Sequence, residues 1–156
     1  MTMFDEHNGP ISGLSINPPS EFDALNNLIL TSSYDWTVKL WHPESKESLR
    51  TFENSEDYTY DVAWHPQNPS LFATVNNDGY LDIFDLTRDL ELPIAHEKVN
   101  NYAQNRVIWN NDGSALVSGD SAGTLTLYAL ADKYRKMENS KYEDLQRYLV
   151  QKPETD

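Results

Sequence analysis

One pattern constrains this chain more than any other: a turn followed by apolar-x-apolar-aromatic recurs three times. The segments are DWTVKLW at Asp35–Trp41, DGYLDIF at Asp78–Phe84 and AGTLTLY at Ala122–Tyr128, offset by 43 and 44 residues. Upstream of each lies a second run, LILTSS, LFATVN and ALVSGD, beginning at Leu28, Leu71 and Ala115. A third layer, ISGLSINP, YDVAWHP and NRVIWNNDG, makes Ile16, Trp64 and Trp109 equivalent. The first repeat is longer there because it carries an extra stretch, SEFDALNN.

Each layer is a strand-length run bounded by turn residues. Asn77-Asp78-Gly79 and Asn111-Asp112-Gly113 supply residues that tolerate positive φ in tight hairpins. A period of ~40–45 residues with about four strands per unit marks a β-propeller blade. The expectation is an all-β chain of about three four-stranded blades, at residues 7–53, 54–98 and 99–130, within a partial propeller over 1–130. Residues 131–139 read as a charged linker. A short C-terminal α-helix follows at 140–151, opened by a Ser140-Lys141-Tyr142-Glu143 capping box with Tyr142, Leu145, Tyr148 and Leu149 on one face. Residues 152–156 read as a frayed tail.

Charge and composition exclude several function classes. Twenty-five Asp+Glu against 12 Lys+Arg give a net charge of −13, which disfavours nucleic acid and anionic membrane surfaces. No cysteine is present, so disulfides and cysteine-based zinc sites are ruled out. The start, MTMFDEHNGP, lacks the basic and apolar regions of a signal peptide. No apolar run approaches the ~20 residues of a membrane span. The expected setting is soluble and cytoplasmic, without membrane insertion.

Catalytic patterns are missing. His7, His42, His65 and His96 match no local metal motif. His42, His65 and His96 read as loop or surface residues. Asp57, Asp61 and Asp82 do not form a pair with contrasting environments in the sequence. SGDSAG around Ser121 is a hairpin sequence between two strands rather than a nucleophile elbow. No cofactor is implied. Trp36 stands where Gly79 and Gly123 stand in the other repeats, so it is expected to project and is a candidate contact anchor. On the face formed by the strand starts, Asp57, Tyr58, Tyr60, Asn105 and Arg106 are candidate partner-binding residues.

With its repeats aligned, the chain resembles the WD-repeat family. That resemblance implies a structural relay of His7, Thr31, Asp35 and Trp41 in the first repeat. The second keeps Thr74 and Asp78 but has Ser55 and Phe84; the third keeps Ser118 but has Asn100, Ala122 and Tyr128. Those two blades are therefore expected to depend on hydrophobic packing.

A closer resemblance is to the cytoplasmic dynein intermediate chains, on HNGPISGLS, LTSSYDWTVKLW, YTYDVAWHPQNPSLFATVNNDGYLDIFDL and NRVIWNNDGSALVSGDSAGTLTLYAL. It implies the C-terminal blades of a non-catalytic scaffold that binds the dynein heavy chain and other dynein subunits in microtubule-based transport. The implied location is cytoskeleton-associated. Alternatives are an axonemal intermediate chain, a WD-repeat adaptor outside dynein such as a ubiquitin-ligase substrate receptor, and a propeller-based enzyme. Because a closed propeller needs roughly six to eight blades, three imply a piece that needs further blades.

Overall fold

The computed structural model describes residues 2–150 and shows three antiparallel sheets side by side. The first blade is β1 (Ile11–Ile16), β2 (Ile29–Ser33), β3 (Val38–Trp41) and β4 (Arg50–Phe52). The second is β5 (Thr59–Trp64), β6 (Leu71–Asn76), β7 (Tyr80–Asp85) and β8 (Ala95–Lys98). The third holds β9 (Gln104–Trp109), β10 (Ala115–Asp120) and β11 (Leu125–Ala129), with no fourth strand among the described residues. Strands pair in sequence order within each sheet, as expected where tight turns join antiparallel neighbours. The blades meet along β1, β5 and β9.

The hairpin turns show why the repeat keeps its spacing. Gly79 and Gly123 lie at φ +83° and +85°, the left-handed region that glycine occupies without a Cβ penalty. Trp36 holds the same place in the first blade at φ +75°, so a bulky side chain is forced into a conformation suited to glycine.

Two cores lie between the blades. Leu30, Val38, Leu40 and Phe52 of the first blade pack with Val62, Trp64, Phe72 and Phe84 of the second. Phe72 and Phe84 stack with centroids 4.8 Å apart, and Phe52 meets both rings edge-on. Leu71, Ala73, Val75, Leu81 and Ile83 pack against Val107 and Leu116 of the third blade. A polar clip repeats across both seams. Asn17 Nδ2 donates to the Pro69 carbonyl at 2.8 Å, and one blade further His65 Nε2 lies 3.0 Å from the Gly113 carbonyl.

His65 is fully buried, contrary to the expectation of a loop or surface residue. Its Nδ1 accepts from the Gln67 and Asn68 amides, which places the proton on Nε2 for the Gly113 bond. Burial pushes its pKa down, so it is held neutral.

The extra stretch in the first repeat forms a one-turn 3-10 helix, Asp23–Leu25, which buries Phe22 and Leu25. The C-terminal helix α1 (Asn139–Val150) docks there through Tyr142 and Leu145. The Tyr142 hydroxyl donates to Asn68 Oδ1 and accepts the Met137 amide, and Gln146 Oε1 accepts the Ala24 amide. Arg50 lies over the Tyr148 ring and donates to its hydroxyl. Because α1 begins at Asn139, Ser140 lies inside the first turn rather than ahead of it. The last position of the expected helix, Gln151, and the expected tail 152–156 fall outside the described residues.

The 131–139 segment is pinned rather than loose. It contains a 3-10 turn, Asp132–Tyr134, whose Tyr134 carbonyl accepts from Asn68 and whose ring lies under Arg88.

Candidate functional site

The four residues of the first-repeat relay come together around β2 and β3. Trp41 Nε1 donates to Thr31 Oγ1 at 2.8 Å, and Thr31 Oγ1 lies 2.7 Å from His7 Nε2. His7 Nδ1 lies 2.8 Å from Asp35 Oδ2, while the other carboxylate oxygen accepts from the Thr37 amide and hydroxyl. One proton assignment satisfies every partner: the Thr31 hydroxyl donates to Nε2 and Nδ1–H donates to Asp35. Burial pushes the Asp35 carboxyl up, but the donors from Thr37, His7 and the Asn8 amide outweigh it and hold it at about 2. The arrangement has no exposed nucleophile, and its chemistry is positional: it ties the segment before β1 to the β2–β3 hairpin.

The later blades, expected to depend on hydrophobic packing rather than on the relay, carry a polar network of a different layout. It has moved two residues along the chain. In the third blade Asn100 Nδ2 donates to Asp120 Oδ2 at 2.7 Å, and Asp120 Oδ1 accepts the Ala122 and Thr124 amides. In the second, Asn76 Nδ2 donates to Ser55 Oγ at 3.1 Å, and Asn76 Oδ1 accepts the Tyr80 amide. Asn76 and Asp120 replace Ser33 of the first blade, so the acceptor sits at the strand end instead of in the turn. Asp78, aligned with Asp35, instead pairs with Lys98 at 3.4 Å on the surface. Ser118 Oγ finds no partner because Tyr128 and Asn100 offer it none, and Phe84 likewise brings no N–H to Thr74.

The candidate partner-binding residues gather on the face carrying the hairpin turns. Tyr60, Asn105 and Arg106 line one groove with Pro10, Ile11 and Tyr34. Tyr58 stacks on Tyr34 at 5.0 Å, and Tyr60 meets Tyr34 edge-on at 5.5 Å. Asp57 Oδ2 accepts from Asn77, whose Oδ1 accepts the Tyr60 hydroxyl at 2.9 Å. Burial and the neighbouring Tyr34, Asp57 and Tyr58 push the Tyr60 hydroxyl pKa up. Trp36 is half-exposed and contributes to neither the groove nor the tyrosine cluster.

Tyr34 was missed in the sequence. It sits in the β2–β3 turn, where the repeat alignment has Asn77 and Ser121, and no local pattern announces an aromatic cluster assembled from that turn and the start of β5.

The carboxylates considered for catalysis are separately engaged. Asp61 accepts the Val107 amide at 3.0 Å and lies 3.6 Å from Arg106. Burial raises its pKa, with the amides and Arg106 pulling the other way. Asp82 pairs with His96 at 2.5 Å, and burial raises its pKa despite that partner. Among the described residues no three His, Asp or Glu side chains converge to hold a metal.

Comparison with known proteins agrees with this architecture. The WD domain, G-beta repeat family model matches residues 1–42, which contain the whole relay. Cytoplasmic dynein 1 intermediate chain of Drosophila melanogaster is 41% identical over 131 residues. The match covers 83% of this chain, which spans about a fifth (20%) of that relative's length. The chain thus carries a WD repeat at its first blade and is similar in sequence to a cytoplasmic dynein intermediate chain over most of its length.

Proposed function

We propose that the chain is a non-catalytic interaction scaffold of a cytoplasmic dynein complex, with the dynein heavy chain as its principal partner. The observation that carries this reading is the 41% identity to cytoplasmic dynein 1 intermediate chain across three blades. Rigid sheets hold the turn-side face, and loops on such a scaffold supply partner contacts. Trp36, Asp57, Tyr58, Tyr60, Asn105 and Arg106 are the contacts proposed. The half-exposed tyrosines and Trp36 offer large amphipathic anchors, a type enriched in binding hot spots. A cytoplasmic, cytoskeleton-associated location follows from the same reading.

The test is a pull-down of recombinant dynein heavy-chain tail with the tagged chain. Tail recovery that falls at least about tenfold with Tyr58→Ala plus Arg106→Ala, near 1.4 kcal/mol, is the expected result. Failure to recover any tail refutes the dynein reading and favours a WD-repeat adaptor elsewhere. Recovery unchanged by the double substitution moves the contact off this face.

A further inference from the structure

Asn8 and Gly9, directly after the relay histidine, are the one Asn-Gly pair in the sequence. Such a pair has a chemistry of its own. The Gly9 nitrogen, after losing its proton, can attack Asn8 Cγ, close a cyclic succinimide and expel the side-chain nitrogen as ammonia. Glycine lacks a Cβ, which leaves that approach open. Water then opens the ring at either carbonyl and gives aspartate or isoaspartate. Ammonia leaves, water enters, and nothing is oxidised or reduced.

The fold leaves both reacting groups free. Asn8 is exposed, and among the described residues neither its side-chain amide nor the Gly9 N–H makes a hydrogen bond. Three other sites with the same chemistry are restrained. Gly79 and Gly113, which follow Asp78 and Asp112, donate their amides to the Asn76 and Asn110 carbonyls at 3.3 and 3.0 Å. Asn54, ahead of Ser55, has its side-chain amide on the Glu91 carbonyl at 2.7 Å. Packing also keeps position 9 a glycine. A Cβ there would lie 2.9 Å from the Asp35 nitrogen and 3.2 Å from the Tyr34 carbonyl carbon. The close approach that ties this segment to the β2–β3 turn therefore demands the residue that makes Asn8 reactive.

We infer that Asn8 is a spontaneous deamidation site whose isoaspartate product loosens the relay and makes the chain a substrate for isoaspartyl carboxyl methylation. The segment is pinned on both sides of the reacting bond. The Asn8 amide donates to Asp35 Oδ2 at 3.0 Å, and the Pro10 carbonyl accepts the Tyr34 amide at 3.1 Å. Isoaspartate inserts one extra carbon into the main chain between these anchors, so the two bonds cannot both keep their lengths. Either product also sets a new negative charge beside the Asp35 carboxylate, where like charges repel. Methyl transfer from a sulfonium donor to the isoaspartate carboxylate forms an ester. Attack by the Gly9 nitrogen on that ester re-forms the succinimide and releases methanol, so the lesion is open to repair.

The test incubates the full 156-residue protein at mildly alkaline pH, once folded and once in urea, and maps its peptides by mass spectrometry. An isoaspartate-specific carboxyl methyltransferase with a labelled sulfonium donor counts the product. In urea each site reacts as its local sequence dictates. On folding, the rate at Asn8 should change little, while the rates at Asn54, Asp78 and Asp112 fall severalfold. Equal slowing at all four sites overturns the inference. Asn8→Gln keeps the backbone bond to Asp35 but closes the larger ring slowly, so it should lose the label at this peptide and keep the Tm of fresh protein. Aged unsubstituted protein should melt below fresh protein, and aged Asn8→Gln should not. Aged protein that carries the label at Asn8 yet melts with the fresh protein overturns the effect on the relay. None of these readouts involves a partner, so this inference and the dynein reading fail separately.

Discussion

Replacing Asp35 with alanine probes the relay at its most heavily bonded point. The carboxylate accepts from His7 at 2.8 Å, the Asn8 amide at 3.0 Å, and the amide and hydroxyl of Thr37. Its pKa of about 2, against an ordinary 3.8, favours the ionised folded form by about 2–3 kcal/mol at about 1.4 kcal/mol per unit. Truncation also strands the His7 N–H, a loss of about 1–3 kcal/mol by the usual cost of an unpaired buried donor. These are two views of one interaction and do not add, so about 2 kcal/mol is expected. Urea melts at neutral pH and fixed protein concentration should show that loss, with Tm lower by roughly 4–8 °C for a chain of this size.

The pH dependence carries a sign. A carboxyl depressed in the folded state stabilises fully above its unfolded value and loses that contribution as pH falls through the folded value. The gap between the unsubstituted protein and Asp35→Ala should therefore be constant from neutral pH to just above 3.8 and narrow toward pH 2. Superimposable melts at neutral pH would refute the assignment, as would a gap that stays constant down to pH 2.

Trp36→Gly should raise stability by about 0.5–1 kcal/mol, because φ +75° strains any residue with a Cβ; thermal melts read the gain. If Trp36 is a partner anchor, the same variant should bind the heavy-chain tail less well while melting higher. Gly79→Ala and Gly123→Ala should separate in chemical denaturation despite their similar φ. A Cβ at 79 would lie 2.0 Å from the Asn100 carbonyl whereas one at 123 meets open space, so about 3 kcal/mol is expected at 79 and about 1 at 123. Tyr142→Ala should cost about 3–5 kcal/mol by removing a buried aromatic, and Tyr142→Phe only about 1, since the ring stays and the hydroxyl bonds go. Equal losses in the two tyrosine variants would mean that the hydroxyl network, not ring packing, holds α1.

The three-blade architecture was legible because a four-stranded unit leaves a period that survives poor identity. The relay was expected from the family resemblance rather than from spacing, and His7, Thr31, Asp35 and Trp41 do lie within hydrogen-bonding reach of one another. The later blades were misread for a physical reason: alignment follows positions, whereas a hydrogen bond follows space. An amide at strand-end residue 76, or a carboxylate at 120, still reaches the segment ahead of the first strand of its own blade. His65 was invisible as a core residue because its acceptor, the Gly113 carbonyl, comes from another blade. The stretch around Phe22 looked like a mere insertion because what covers it lies more than a hundred residues away in sequence.

That last contact bears on how the chain is made. Synthesis runs from the N-terminus at about 5–20 residues per second, so the first blade emerges well before α1 exists. Until residues near 145 are released, Phe22 and Leu25 lack their cover and the outer wall of the first blade stays exposed to water. Closing a loop of this span late, and with a large entropic cost, favours slow final folding. The nascent chain therefore passes through an interval in which this wall is sticky, and a chaperone holding residues 22–25 would shorten the risk.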